Sequence, residues 1–404
     1  MPTQIPLTSA PGQPAASRHA GGPVVIAWLQ LLNSKGRLAT AIAGIAFTVI
    51  FSMLQLAFQD ALYTSVTLLY SHLNGDLVLI GPRYQCIVST SSFPMRRLYQ
   101  ALALPEVQSI SALYMSLAPW KNPANGQHRE IFVVGFEPRP NVFDYPGVAR
   151  NLRRLSEPGN VMFDEGSRPE FGPVPELLHL NPGPVGTEIS DRTVRVIGLF
   201  RVGANFANDG NILAGDTTFF RLFPYRTAGA VDVGIIKLRP GADVAATRAR
   251  LAAALPPDVV VLTKNGLLDR EKAFFDASLP VGFFFRMSVI IGLVVGAVIV
   301  YQILFNDVSE RLPEYATLKA IGYSNRRLFV IVLQQALILS VLGFIPGVLL
   351  SAVAFEVART GTLLPISMTP ARVVLVYVLT VGMCAVSGLL ATRKLRSADP
   401  ADIY

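Results

Sequence analysis

Four uncharged apolar stretches constrain this chain more than any other feature: residues 38–59, 287–306, 328–355 and 373–392. Each is long enough to cross a bilayer, which takes about 20 apolar residues. The composition is 51% hydrophobic and 15% charged, too apolar for an ordinary soluble chain and too mixed for spans alone. The expected fold is therefore an α-helical membrane protein with four transmembrane helices. A large α/β extracytoplasmic domain, 60–286, is inserted between the first and second helices. The third run carries Gly343, Pro346 and Gly347, which predict a kink or a break.

Basic residues orient the spans. Lys35 and Arg37 precede the first run, Arg311, Lys319, Arg326 and Arg327 lie between the second and third, and Arg393, Lys394 and Arg396 follow the fourth. The segment between the third and fourth, 356–372, offers only Arg359 and Arg372. By the positive-inside rule both termini and 307–327 are cytoplasmic, while 60–286 and 356–372 are periplasmic. Arg270, Lys272 and Arg286 fall on the outer side, which a long translocated domain tolerates. The same placement accounts for the net charge of +8 without invoking nucleic acid. Residues 1–22, rich in Pro, Ala, Ser and Gly, read as a disordered cytoplasmic tail, and 393–404 as a second tail. Residues 23–37, with Trp28 on a broad apolar face, read as an interfacial amphipathic helix.

Within 60–286, Leu62, Val66, Leu69 and Leu73 share one helical face, so the first span is expected to continue outward as a stalk. A second helix, 266–278, leads back to the membrane. Strands are expected at 76–80, 131–136, 161–163, 231–238 and 259–262, a hairpin over 185–200 turning at Asp191-Arg192, and helices at 94–104 and 243–255. Segments 231–238, 243–255 and 259–262 form a βαβ pattern. The Pro-, Gly- and Asn-rich stretch 138–229 reads as an inserted subdomain.

Motifs for chemistry do not occur. The sequence contains no G-x-x-x-x-G-K-[ST] phosphate loop, no G-x-S-x-G and no H-E-x-x-H. Cys86 and Cys384 fall in different parts of the chain, and the four histidines have no metal-ligand spacing. No catalytic, cofactor-binding or metal residue is expected, and Asp164, Glu165 and Glu170 read as a solvated loop. Gly292 and Gly296 form a GxxxG in the second run, a possible dimer face, with packing inside one chain as the alternative. The notable polar residues of the spans are Gln55, Tyr301, Gln302, Gln334 and Gln335, read as interhelical or interfacial.

The charged segment 307–327 lies between two apolar runs. Leu312, Tyr315, Ala316, Lys319 and Ala320 recur at helical spacing, Pro313 suits a first turn and Gly322 a C-cap. Its wording, ERLPEYATLKAIGYSNRRL, resembles the coupling segment of FtsX/MacB-type (type VII) ABC transporter membrane subunits, and most closely the DevC-type exporter permeases of cyanobacteria. DLVLIGPR, DGNILAGD, IKLRPGADV and RKLRSADPADIY extend the resemblance over nearly the whole chain beyond residue 22.

That resemblance implies the membrane (permease) subunit of a tripartite ABC exporter, not itself an enzyme. ATP and Mg would be bound by a separate, DevA-like ATPase docking on Glu310, Arg311, Glu314, Tyr315, Lys319 and Gly322. The outer domain, of MacB type, would engage a DevB-like membrane fusion protein and through it a TolC-like channel. The permease would act as a homodimer, with a lipid, glycolipid or other hydrophobic cargo. Two alternatives remain at this point: an FtsX-like subunit that activates a cell-wall hydrolase, and a LolC/LolE-like lipoprotein-releasing subunit.

Overall fold

The computed structural model describes residues 35–393, apart from 140–141, 181–182, 204, 206–207, 279, 315–316 and 318–323. The expected interfacial helix at 23–37 lies almost entirely outside the described residues. In chain order the elements are α1 (Lys35–Ser71), β1 (Leu77–Ile80), β2 (Phe93–Pro94), α2 (Arg96–Leu102), β3 (Val107–Lys121), β4 (His128–Phe136), α3 (Pro146–Leu155) and β5 (Asn160–Asp164). There follow α4 (Val174–Leu180), β6 (Val185–Ile189), β7 (Arg192–Phe200), β8 (Asn211–Gly215), α5 (Asp216–Leu222), β9 (Ala230–Val231), β10 (Val233–Leu238), α6 (Val244–Ala254) and β11 (Val260–Thr263). The last helices are α7 (Lys264–Ser278), α8 (Val281–Glu310), α9 (Asn325–Thr362) and α10 (Pro370–Ala391). Among the described residues four helices are long and apolar enough to cross a membrane: α1, Gly282–Glu310 of α8, Leu328–Thr362 of α9, and α10.

The chain divides into two compact units. One comprises Met1–Val49, Gly292–Val348 and Val374–Tyr404, the other Ile50–Ile291 and Leu349–Val373. In the first, glycines let helices meet at backbone distance. A Cβ added at Gly343 would stand 2.5 Å from Cβ of Ile45, and one at Gly347 would stand 2.7 Å from Cβ of Val49. Helix α9 thus packs on α1 through two glycines one turn apart. The expected break does not occur, since α9 continues through Pro346.

The second unit is built on a nine-stranded mixed sheet, ordered β11-β1-β10-β3-β4-β8-β5-β7-β6. Strands β4 and β8 run parallel, as do β5 and β7, and the other neighbours are antiparallel. Strands β10 and β11 both pair antiparallel with β1 between them, so the β10-α6-β11 unit is a split βαβ. Strand β3 is long enough to serve two neighbourhoods. Val107–Leu113 pairs with β10, and Leu113–Lys121 with β4. An extra pairing, Trp120 with Ile189, joins β3 to β6. Strands β3, β4, β8, β5, β7 and β6 therefore form a closed circuit.

Alternation along the strands divides the core in two. Trp120, Ile131, Val133, Val161, Phe163, Val194 and Ile212 fall in one cluster; Met115, Phe132, Val134, Phe136, Met162 and Leu213 fall in the other. The β6–β7 hairpin turns at Ser190 and Asp191, both in the left-handed region at φ 50 and 58, one residue earlier than expected. Asp side chains tolerate that conformation better than most. Asp164, read as solvated, is fully buried. Its carboxylate accepts from the amides of Gly166, Val202 and Gly203 and from Asn211 Nδ2, so it ties loop to sheet.

Candidate functional site

The charged segment begins while α8 is still helical. Asp307 is nearly buried, and Arg311, one turn on, donates from Nε to its Oδ1 at 3.1 Å. Gln335 of α9 reaches the other oxygen at 3.5 Å. Arg311 Nη1 also stands 3.6 Å from Glu314 Oε2. An apolar cluster of Val308, Leu328, Ile331 and Val332 joins α8 to α9 beside these groups. Charge pairing at i,i+4 is worth little on an open surface, but here it neutralises a carboxylate that has left water.

Glu310, the last residue of α8, is held by Arg37 of α1, with Nη2 donating to Oε2 at 2.6 Å. Both side chains are exposed, so the pair sets geometry more than stability.

Of the residues expected to face a partner, two are tied within the chain. Arg311, with a side chain 14% exposed, is held by the Asp307 carboxylate one turn earlier. Glu310 is engaged by Arg37. Glu314, with a side chain 60% exposed, presents its carboxylate outward. Tyr315, Lys319 and Gly322 lie outside the described residues. Gly292 and Gly296 are both buried within the chain. A Cβ at Gly296 would collide with Thr48 and stand 2.7 Å from Met383 Sδ. Intrachain packing occupies this GxxxG face, and the exposed stripe of α8 is Ile290, Ile291, Val294, Val295 and Val298.

The second unit holds a polar network that sequence reasoning missed. Glu271 of α7 is fully buried; Tyr84 Oη donates to its Oε1 at 2.5 Å and the Ile87 amide to Oε2 at 3.2 Å. Tyr70 of α1 bonds Tyr84 Oη at 2.6 Å. Burial pushes the Glu271 carboxyl up to about 7, against the hydrogen bonds from Tyr84 and Ile87 and the nearby Arg270, which pull it down. The network joins α1 to α7, and Cys86 packs beside it with Leu62, Val66 and Phe275. Nothing in the residue spacing signals it, because the partners are brought together from positions 70, 84 and 271 only by the fold.

The model of the MacB-like periplasmic core domain matches residues 38–254, more than half of the chain, and that of the FtsX-like permease C-terminal region matches 286–400. The chain belongs to the FtsX/MacB-like permease family. This family comprises membrane components of ABC transporters. Similar solved structures include the periplasmic region of MacB from Actinobacillus actinomycetemcomitans, at 9% identity and TM-score 0.34, covering 48% of this chain and 91% of that one. The extracellular domain of the noncanonic ABC-type transporter YknZ from Gram-positive bacteria is similar at 12% identity and TM-score 0.33, covering 46% and 98%. A comparison with curated proteins gives no match. The two sequence models together take in most of the mixed sheet, strand β11 excepted, and the C-terminal helices of this FtsX/MacB-like permease.

Proposed function

We propose that this chain is the membrane subunit of an ATP-driven tripartite exporter of DevC type. Both termini and the 307–327 segment face the cytoplasm, and two copies dock a dimeric ABC ATPase that binds ATP and Mg. The outer domain engages a membrane fusion protein and, through it, a TolC-like channel. The cargo is a lipid, a glycolipid or another hydrophobic molecule.

The observation that carries this reading is the order of the parts. A MacB-like periplasmic core is followed by an FtsX-like permease region, and inside that region a charged segment separates two helices of lipid-spanning length. The sequence holds no phosphate loop of its own, so hydrolysis is assigned to a partner. The pair Arg37–Glu310 supports a coupling role, because it ties the start of α1 to the end of α8 beside the proposed docking segment. A push on that segment is delivered to α1 as well as to α8.

Glu314, with a side chain 60% exposed, is open to a partner. Glu314→Arg should uncouple ATP hydrolysis from export while the protein accumulates at wild-type level in the membrane. Export measured in cells carrying this variant checks the point; unchanged export contradicts the docking role.

A further inference from the structure

Within the second unit, α7 lies along the end of α1, and among the described residues three polar ties hold them. Tyr63 Oη of α1 donates to Asp276 Oδ1 of α7 at 2.7 Å. At the other end Lys264 Nζ donates to the carbonyls of Ser71 and Leu73, both at 2.7 Å. Low numbers on α1 meet high numbers on α7, so the two helices run antiparallel. Leu62, Val66 and Phe275 close an apolar seam between them with Cys86. The middle tie runs through the segment 81–92: Tyr84 bonds Glu271 of α7 on one side and Tyr70 of α1 on the other.

Of the three, the middle tie alone is sealed from water. Glu271, Tyr70 and Tyr84 are buried, whereas Lys264 is half-buried and Asp276 exposed. The charged and titratable groups around Glu271 are few. Helix α1 presents Tyr70, segment 81–92 presents Tyr84 and Cys86, and α7 presents Arg270. From the sheet, β3 brings Met115 Sδ to 3.6 Å from Tyr70 Oη. Asp232, near Tyr70, is taken up by Arg226 at 2.6 Å. Among the described residues no ion pair reaches Glu271; Arg270 Nη2 donates instead to the Tyr84 carbonyl at 2.8 Å.

A carboxylate offers about four acceptor sites, and Glu271 receives two donors, Tyr84 Oη and the Ile87 amide. Ionised and sealed, it is under-solvated, and a buried charge with no paired cation is costly. Protonated, it completes the chain to Tyr84 and Tyr70 without placing a charge inside. Water reaches the ionised group only where α7 parts from segment 81–92 and α1.

We propose that Glu271 is a proton-operated clasp between α1 and α7, the helices that enter and leave the sheet. Protonated, it holds α7 to α1 through Tyr84 and Tyr70; ionised, it draws in water and loosens α7 locally. Acid tightens the clasp and alkali loosens it. Burial holds the closed carboxyl up at about 7, against an ordinary 4.5. The opening equilibrium therefore rises by up to about tenfold per pH unit between 4.5 and about 7, then levels off. The clasp lies inside the second unit and stands whether or not the chain is an exporter.

The test is hydrogen exchange of the full chain in nanodiscs of zwitterionic lipid, read by mass spectrometry from pH 5 to 8 and corrected for intrinsic rates. Protection of α7 should fall at least tenfold over that range. At pH 8 it should be at least tenfold below that of β4, so that the helix opens while the sheet stays closed. In Glu271→Gln the fall should shrink to less than twofold. Tyr84→Phe removes one donor to the carboxylate, so its fall should continue to higher pH before levelling off. No fall in the wild type, a fall retained in Glu271→Gln, an unmoved level in Tyr84→Phe, or equal protection of α7 and β4 at pH 8 would overturn the proposal.

Discussion

Glu271 illustrates how a single buried group records the fold around it. Its carboxyl is pushed from the ordinary 4.5 up to about 7, chiefly by burial. As pH rises the unfolded chain loses this proton first, so the group favours the folded state most below about 4.5. That contribution is lost as pH climbs to about 7, and its full size is about 3 kcal/mol. Protonated Glu271 can donate to Tyr84 Oη, which can then donate to Tyr70. A Gln amide can do the same while its oxygen still accepts from the Ile87 amide. Glu271→Gln should therefore raise the melting temperature at pH 8 and flatten its dependence between pH 5 and 8. A melting profile that keeps the wild-type slope would contradict this account.

At the scale of elements, packing decides what sequence pattern leaves open. Gly347 presses α9 against Val49, whereas a Cβ at Gly361, near the end of the same helix, meets nothing within 4 Å. Gly347→Leu should cost about 1–3 kcal/mol through overpacking, and Gly361→Leu far less. Denaturation of both variants in mixed micelles checks this; equal losses would contradict the close approach.

The same scale shows what was legible in the sequence. The apolar runs, strands β1, β4 and β10 and the helix α6 follow from length and alternation alone. Strand β3, the longest in the sheet, was not among the expected strands, and it carries Pro119, a residue uncommon inside a strand. The Pro119 carbonyl accepts from the Ser190 amide, which ties β3 to the hairpin. The 307–327 segment stood out by its charge. Its internal ties did not, since Arg37 meets Glu310 across 273 positions and Gln335 meets Asp307 across 28. The hold of Asp307 on Arg311 likewise appears only in the fold.

Among the described residues the molecule has a mixed sheet and four helices of lipid-spanning length, and the MacB-like model over 38–254 is followed by the FtsX-like model over 286–400. The central claim is that this permease serves an ATPase on one side and an adaptor on the other. The most direct measurement is to purify the tagged full chain in mild detergent and identify by mass spectrometry what accompanies it. The account predicts an ABC ATPase together with a periplasmic membrane fusion protein. An ATPase accompanied by a cell-wall hydrolase, with no adaptor, would contradict it.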